Sequence, residues 1–282
     1  MKRILLAALC LAALLPGCAR PAAEADAPAH EARRVPILMY HSILRDAKRA
    51  GKYVLSPDAL ERDVSWLVSR GYETVTLRAL TEFAAGRGTL PEKPVVLTFD
   101  DGYYNNLLYA LPILEKYDCV AVLSVVGKYT ETFSASPDPN PNYAHVSWDE
   151  IAALAEGGRF EIQNHSYDMH GQAARMGSGR KKGESDAAYR KAFCADTQRL
   201  QDELTRRAGV TPAFYTYPFG VVGEGSGEYL RQMGFSGSLT CRERTSVVIS
   251  GDPGTLWALG RYNRPSDVST EAFMARVLGA EA

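Results

Sequence analysis

Val95-Val96-Leu97-Thr98-Phe99-Asp100-Asp101-Gly102 is an apolar run that stops in two carboxylates and a glycine. Its length and composition suit a buried strand. In the middle of such a strand, neighbouring side chains would point to opposite faces. At its carboxyl end, Gly102 frees the backbone to bring both acids toward one ligand. Taken alone, the segment reads more simply as an Asp-Gly turn with solvated carboxylates. The flanking sequence decides what kind of sheet the strand joins.

Outward from this run the same unit recurs. Val35 to Tyr40 is a short apolar stretch with strand character. Ser56 to Arg70 carries Leu60, Val64, Leu67 and Val68 at helical spacing after a Ser-Pro-Asp start, and Gly71 ends it. Downstream come a helix over Asn105 to Tyr117, a strand over Val120 to Val126, and a helix over Asp149 to Glu156 closed by Gly157-Gly158. Phe160 to Asn164 reads as a strand, Asp186 to Ala208 as a helix and Ala213 to Tyr217 as another strand. Strands alternating with helices predict a parallel α/β sheet or barrel, and nothing marks an internal domain boundary. Two segments look irregular, Ser134 to Tyr143 and the glycine-rich Gly171 to Glu184. Both read as surface loops, placed to rim a groove for a long substrate if the site lies where the strands end.

The first residues carry a different message. Lys2 and Arg3 precede an apolar run from Ile4 to Leu15, closed by Pro16-Gly17-Cys18, which reads as an export signal too short for a stable membrane span. Leu15-Pro16-Gly17-Cys18 resembles a bacterial lipobox, although Pro16 is not the usual small residue there. The expectation is a leader over 1–17, acylation at Cys18 and a lipid anchor in the cell envelope, with ordinary secretion as the alternative. Residues 18–34, rich in Ala, Pro and charge, suit a flexible tether, so one folded domain is expected over 35–282. A formal net charge of −1 gives no reason to expect nucleic acid or a basic membrane patch.

Cys119, Cys194 and Cys241 fit no paired-cysteine zinc spacing and allow at most one disulfide; all three read best as small buried apolar residues. A metal would need other ligands. His165-Ser166-Tyr167-Asp168-Met169-His170 follows the predicted strand Phe160 to Asn164. On a helix the two imidazoles would stand roughly 140° apart, so a shared ion requires a loop that returns. With five histidines in the chain, two beside one strand end point to a metal, since imidazole and carboxylate suit zinc. Either histidine alone would more often be structural or exposed.

Together these segments resemble the polysaccharide deacetylase family, esterases that share the NodB homology domain. Thr98 to Gly102 is similar to its first motif, His165 to His170 to its histidine motif in a longer-spaced form, and Tyr217-Pro218-Phe219-Gly220 to its proline-aromatic-glycine motif. Ile37-Leu38-Met39-Tyr40-His41-Ser42-Ile43 resembles the branch of poly-N-acetylglucosamine deacetylases. The resemblance implies a distorted (β/α) barrel of parallel strands. It also implies a divalent metal on Asp101, His165 and His170, with zinc the first expectation and cobalt or nickel able to replace it, and Asp100 as general base. The Phe219 backbone N–H would stabilise the oxyanion, since Pro218 has no N–H to offer.

The chain also departs from the family pattern. It has no histidine after His170, so the proton for the leaving amine falls by the same branch resemblance to His41; a plain strand-capping role competes. The family's arginine before the proline-aromatic pair aligns with Thr216, and Arg261 is the substitute candidate, with a surface arginine equally open. Leu256, Trp257 and Leu259 are candidates for an acetyl-methyl pocket, or simply core. The expected activity is N-deacetylation of an amino-sugar polysaccharide: poly-N-acetylglucosamine, peptidoglycan or a chitin-like chain. A catalytically silent carbohydrate-binding lipoprotein, a structural metal domain and an O-acetyl polysaccharide esterase are the alternatives. The full set of two aspartates and two histidines speaks against the silent and structural readings.

Overall fold

The computed structural model describes residues 31–279. The leader, Cys18, His30 and most of the tether fall outside them. The fold begins earlier than expected: Ala32–Arg34, assigned to the tether, belong to β1 (Ala32–Val35). This strand pairs antiparallel with a later one and exposes most of its side chains, which is why its Ala-Arg-Arg sequence looked like linker. Pro36 separates it from β2 (Ile37–Tyr40), so the run expected as one strand is two. The short parallel pair β3 (Ser42–Ile43) and β4 (Val54–Leu55) then holds the loop that carries Lys52 and Tyr53.

Helix α1 (Pro57–Ser69) starts where the Ser-Pro signal places it: Ser56 Oγ accepts from Ala59 N, and Pro57 needs no donor in the first turn. Leu60, Val64 and Leu67 are buried, but Val68 is 40% exposed and Asp63 is fully buried instead. At 100° per residue Val68 lies about 80° around the axis from Leu60, at the edge of the buried stripe. Next come β5 (Glu73–Thr74), α2 (Leu77–Ala84) and the central β6 (Pro94–Phe99). The helix expected over 105–117 opens as a π turn, Asn106–Ala110, before α3 (Leu111–Lys116). Pro112 supplies the reason, since it has no N–H for a regular i−4 bond.

Strand β7 (Ala121–Val125) leads into the unforeseen α4 (Gly127–Ala135), and α5 (Trp148–Glu156) carries a reciprocal cap between Ser147 and Glu150. Strand β8 (Phe160–Asn164) and helix α6 (Asp186–Ala208) fall on their predicted bounds. The chain ends with β9 (Phe214–Thr216), α7 (Ser226–Gln232), β10 (Gly237–Leu239), β11 (Ser246–Ile249), β12 (Tyr262–Asn263) and α8 (Thr270–Leu278). Cys119, Cys194 and Cys241 are free thiols.

The main sheet is parallel, in the order β10-β9-β8-β7-β6-β2-β12, and β5 pairs with the start of β6. It curls until its ends meet. The segment after α7 and β11 pairs Leu259 with Leu239 of β10, then Tyr262 with Leu38 of β2, and so bridges the opening. The result is the expected distorted barrel of parallel strands. Inside it, the two-residue period stacks the side chains in layers. Ile37, Val96, Val122, Phe214 and Leu239 share one apolar cluster at the bottom. One step up, Thr98, Ser124 and Thr216 are buried and polar, with Ser124 Oγ 2.7 Å from Thr216 Oγ1. Asp100 is the next inward position on β6. Residues of the other parity, such as Leu97, Phe99 and Leu123, pack outward against α1, α3, α5 and α6.

Candidate active site

Asp100 and Arg261 form the floor of the site. Arg261 Nη1 lies 2.7 Å from Asp100 Oδ1 and Nη2 lies 2.8 Å from Oδ2, a bidentate pair. Arg261 Nε donates to Thr240 O at 3.0 Å and Nη1 also reaches Thr98 Oγ1 at 3.2 Å, so the guanidinium is fixed although its relative exposure is 0%. The bridging segment that closes the barrel aims this side chain inward. Burial pushes the Asp100 carboxyl up, but Arg261 and the neighbouring imidazoles outweigh it and hold the group below its ordinary range.

Asp101 follows with φ +70°, and Gly102 with φ +71°. This left-handed turn swings Asp101 onto the same side as Asp100, as the end-of-strand argument requires. A Cβ on Gly102 would stand 3.1 Å from Val125 Cγ1, so glycine serves both the turn and the close approach. His165 leaves β8 through a second left-handed residue, Ser166 at φ +74°. Asn164 Oδ1 accepts from Ser166 N, and Asp196 on α6 accepts from Tyr167 N and Asp168 N, each at 2.8 Å. The loop is thereby made to return, and the His165 and His170 rings end 4.9 Å apart.

Asp101 Oδ1 lies 3.5 Å from His165 Nε2 and 3.0 Å from His170 Nε2. Donors bound at about 2.0–2.1 Å to one tetrahedral ion would stand about 3.3 Å apart. His165 Nδ1 is 2.7 Å from Thr216 O, which leaves Nε2 free toward the site. Asp101 Oδ1 is buried and accepts no well-aligned hydrogen bond. An orphaned carboxylate oxygen facing two imidazole nitrogens fits a divalent cation. Burial pushes the Asp101 carboxyl up, and the two histidines reverse this and hold it well below the carboxylate range. For His170, burial favours the neutral ring but Asp101 prevails and raises its pKa.

His41 faces this cluster. It lines the same cavity, about 550 Å³, as Asp100, Asp101, His165, His170 and Phe219. Its ring packs on Tyr53 with centroids 4.7 Å apart, and its Nδ1 is buried without a partner. Burial lowers its pKa, and Asp100 and Asp101 offset only part of this. Phe219 is the third strained residue, at φ +57°, with its ring 4.6 Å from that of His170. Gly220 N donates to Tyr217 O and Val221 N to Pro218 O, while Phe219 N has no acceptor among the described residues.

All seven site residues named from the sequence therefore meet in one place. The apolar trio does not: Leu256 and Leu259 lie in the barrel core, and Trp257 packs against the cluster of Tyr189, Phe193 and Leu230. They belong to the segment that closes the sheet, so Leu256 and Leu259 fill the inside of the barrel and Trp257 turns outward toward α6 and α7, none of them toward the mouth. Tyr53, Tyr103 and Cys241, which line the cavity, were not anticipated. Tyr103 had a signal, an aromatic directly after the Asp-Asp-Gly turn; Tyr53 and Cys241 had none.

The sequence-family model for polysaccharide deacetylases matches residues 87–238. The chain is 25% identical over 220 residues to the poly-β-1,6-N-acetyl-D-glucosamine N-deacetylase of Escherichia coli K12, an alignment that covers 70% of this chain and 32% of that protein. The chain thus spans about a third of that relative's length. Among solved structures it is similar to a de-N-acetylase from Aggregatibacter actinomycetemcomitans, with TM-score 0.74 and 23% identity over 86% of this chain and 100% of that one. It is likewise similar to IcaB from Ammonifex degensii, with TM-score 0.70 and 24% identity over 88% and 97% of the two chains. Both structures share the curled parallel barrel. The match of the family model over more than half the chain shows that this protein belongs to the polysaccharide deacetylase family.

Proposed function

We propose that this protein is a metal-dependent hydrolase that removes N-acetyl groups from an amino-sugar polysaccharide of the poly-N-acetylglucosamine type. The observation that carries the reading is the single cavity in which the Asp101–His165–His170 cluster, the Asp100–Arg261 pair and His41 converge. The substrate class follows the name of the E. coli relative.

A divalent ion on Asp101, His165 and His170, zinc in the first instance, would supply Lewis acidity, making the acetyl carbonyl a better electrophile and water a better nucleophile. Asp100, held ionised by Arg261, takes the proton of the attacking water. Arg261 spans both carboxylate oxygens and so fixes the direction in which Asp100 accepts. The free Phe219 N–H donates to the developing oxyanion, a task its strained backbone prepares. His41 delivers a proton to the departing amine. Tyr53 packs on the His41 ring and Phe219 on the His170 ring, and these walls hold the two imidazoles in place.

Acetate release from β-1,6-linked N-acetylglucosamine oligomers, with zinc and with a chelator, tests this. Release that requires the metal supports it; no release from any acetylated amino-sugar oligomer refutes it. We further propose export and acylation at Cys18, which would bring the site to envelope polysaccharide. Cys18→Ser should move the protein from the membrane to the soluble fraction, and a wild type already soluble counts against the anchor.

A further inference from the structure

Outside the catalytic cavity, one buried carboxylate holds two of the segments that build it. Asp63, the unforeseen buried residue of α1, is fully enclosed and has both oxygens doubly engaged. Oδ2 accepts from Arg264 Nε at 2.8 Å and from the Tyr40 hydroxyl at 3.3 Å. Oδ1 accepts from Arg264 Nη2 at 3.1 Å and from Thr270 Oγ1 at 2.6 Å. Arg264 spends its remaining Nη1 donor on Pro265 O and Val268 O, and its backbone N donates to Met39 O at 3.0 Å. No member of the network reaches the cavity.

What it holds does reach the cavity. Tyr40 is the last residue of β2, stacked on Phe99 with centroids 5.1 Å apart, and His41 is the next residue along. Arg264 lies three residues after Arg261, just past the short β12 that closes the barrel. The two arginines of this segment thus each grip a buried aspartate, one on either side of the sheet. The two-residue β12 has little backbone pairing of its own to fix its register, and on its far edge only side chains hold it, Asn263 N donating to Glu243 Oε1 and Asn263 O accepting from Arg276 Nη2.

We propose that Asp63 is a positioning residue for the reaction: through Tyr40 and Arg264 it sets the placement of His41 and Arg261 relative to Asp100. The idea rests on the roles proposed above for those residues. A buried ion pair is weak evidence of a stabilising device, because well-packed apolar residues often replace one without loss. That fact also provides the test.

Asp63→Leu and Arg264→Met, made together in a Tyr40→Phe background, remove the network's charges and phenol at once and leave unpartnered only the Thr270 hydroxyl and the carbonyls of Pro265 and Val268. The variant should fold cooperatively, with a modestly lower melting temperature, and keep the metal content of wild type. Its kcat for acetate release should fall about a hundredfold while KM stays within about threefold, the pattern of a misplaced catalytic group. In an Arg261→Lys background the same triple change should cost less than in wild type, because the part of its effect that passes through Arg261 is already lost and only the part through His41 remains. A stable triple variant with wild-type kcat overturns the proposal. If the triple variant does not fold, Tyr40→Phe alone should lower kcat about fivefold, as for the loss of one hydrogen bond, and an unchanged kcat overturns the proposal there.

Should wild type release no acetate from any glycan, the functional reading falls, and positioning is decided by NMR. The Arg261 Nε–H, which donates to Thr240 O, should exchange with solvent at least about tenfold faster in the triple variant, reflecting local opening of about 1.4 kcal/mol. Unchanged exchange overturns the proposal.

Discussion

Arg261 and Asp100 lie 161 residues apart and meet in a bidentate pair with separations of 2.7 and 2.8 Å at the bottom of the cavity. This pair is what lets a carboxylate stay charged where burial alone would neutralise it. It also makes Asp100 a weaker base than an isolated buried aspartate would be, and so would set the pH range of the general-base role proposed for it.

Replacing Arg261 should therefore move that range. With the guanidinium gone, burial is no longer outweighed and the Asp100 pKa rises. Activity that needs ionised Asp100 should then fail at a higher pH as the solution is acidified. Arg261→Met also leaves a buried carboxylate unpaired, a change that typically costs about 3–5 kcal/mol. Arg261→Lys keeps the charge, loses the bidentate geometry and should show the kinetic effect with less instability. The acid limb of the pH–rate profile is the measurement; a limb that does not move in folded Arg261→Met would separate Arg261 from the base, and Arg261→Lys should shift it less.

The two adjacent aspartates should fail differently. Asp100→Asn should retain the metal and lose about a hundred- to ten-thousand-fold in turnover, the usual contribution of a general base. Asp101→Asn, His165→Ala and His170→Ala should each lower bound metal, with loss of activity that excess zinc or cobalt partly restores. Metal analysis beside acetate release distinguishes the cases. Unchanged metal in both histidine variants would remove the proposed ligand set.

His145 offers a pH effect on stability that is separate from catalysis. Burial among Tyr103, Tyr129 and Phe133 pushes its pKa down to about 4, with Asp101 pulling weakly the other way. The unfolded chain, with an ordinary value near 6.5, then binds more protons than the folded one between these limits. The neutral ring's contribution is complete above about pH 6.5 and is lost as pH falls toward about 4, by up to about 3 kcal/mol before allowing for partial exposure. In His145→Phe, the fall in melting temperature between pH 7 and pH 4.5 should be smaller than in wild type. An equal fall would mean that other groups account for it.

How much of this was legible in the sequence depends on where the information lies. Strand β8 and helix α6 could be read to the residue because their patterns are local: the alternating Phe160-Glu161-Ile162-Gln163 shortly after a Gly-Gly stop, and a long helix with Ser185 to cap it and Gly209 to end it. The turn at Asp100-Asp101-Gly102 was legible for the same reason. The closing strands β10 and β12, of three and two residues, were not. Their conformation is imposed by the strands they join, and no periodicity fits in so short a span. The inward aim of Arg261 depends on that closure, so it could be named as a candidate but not placed. Asp63 looked like an ordinary polar position on an amphipathic helix, because its partner lies 201 residues away.

His41 tests the proposed chemistry most directly. Collapse of the tetrahedral intermediate requires a proton on the amine nitrogen. In the proposed ligand set His165 and His170 would hold the metal with neutral rings through Nε2, which would leave them unable to supply it. His145 lies behind Tyr103, stacked at 4.7 Å, and does not line the cavity. His41 does line it, opposite the metal cluster, and burial keeps its ring neutral more readily than an exposed histidine. The proton it delivers must therefore be gained inside the cavity during turnover, and Asp100 and Asp101 favour that gain by pulling its pKa back up. His41→Ala should keep the metal and the fold, and lose about a hundredfold or more on N-acetylglucosamine oligomers. An activated acetyl ester carries a leaving group that departs without protonation, so turnover of that substrate should fall far less. Equal losses on both substrates would assign His41 to the support of Tyr53 and the β2 end, and the proton donor would have to be another group lining the cavity.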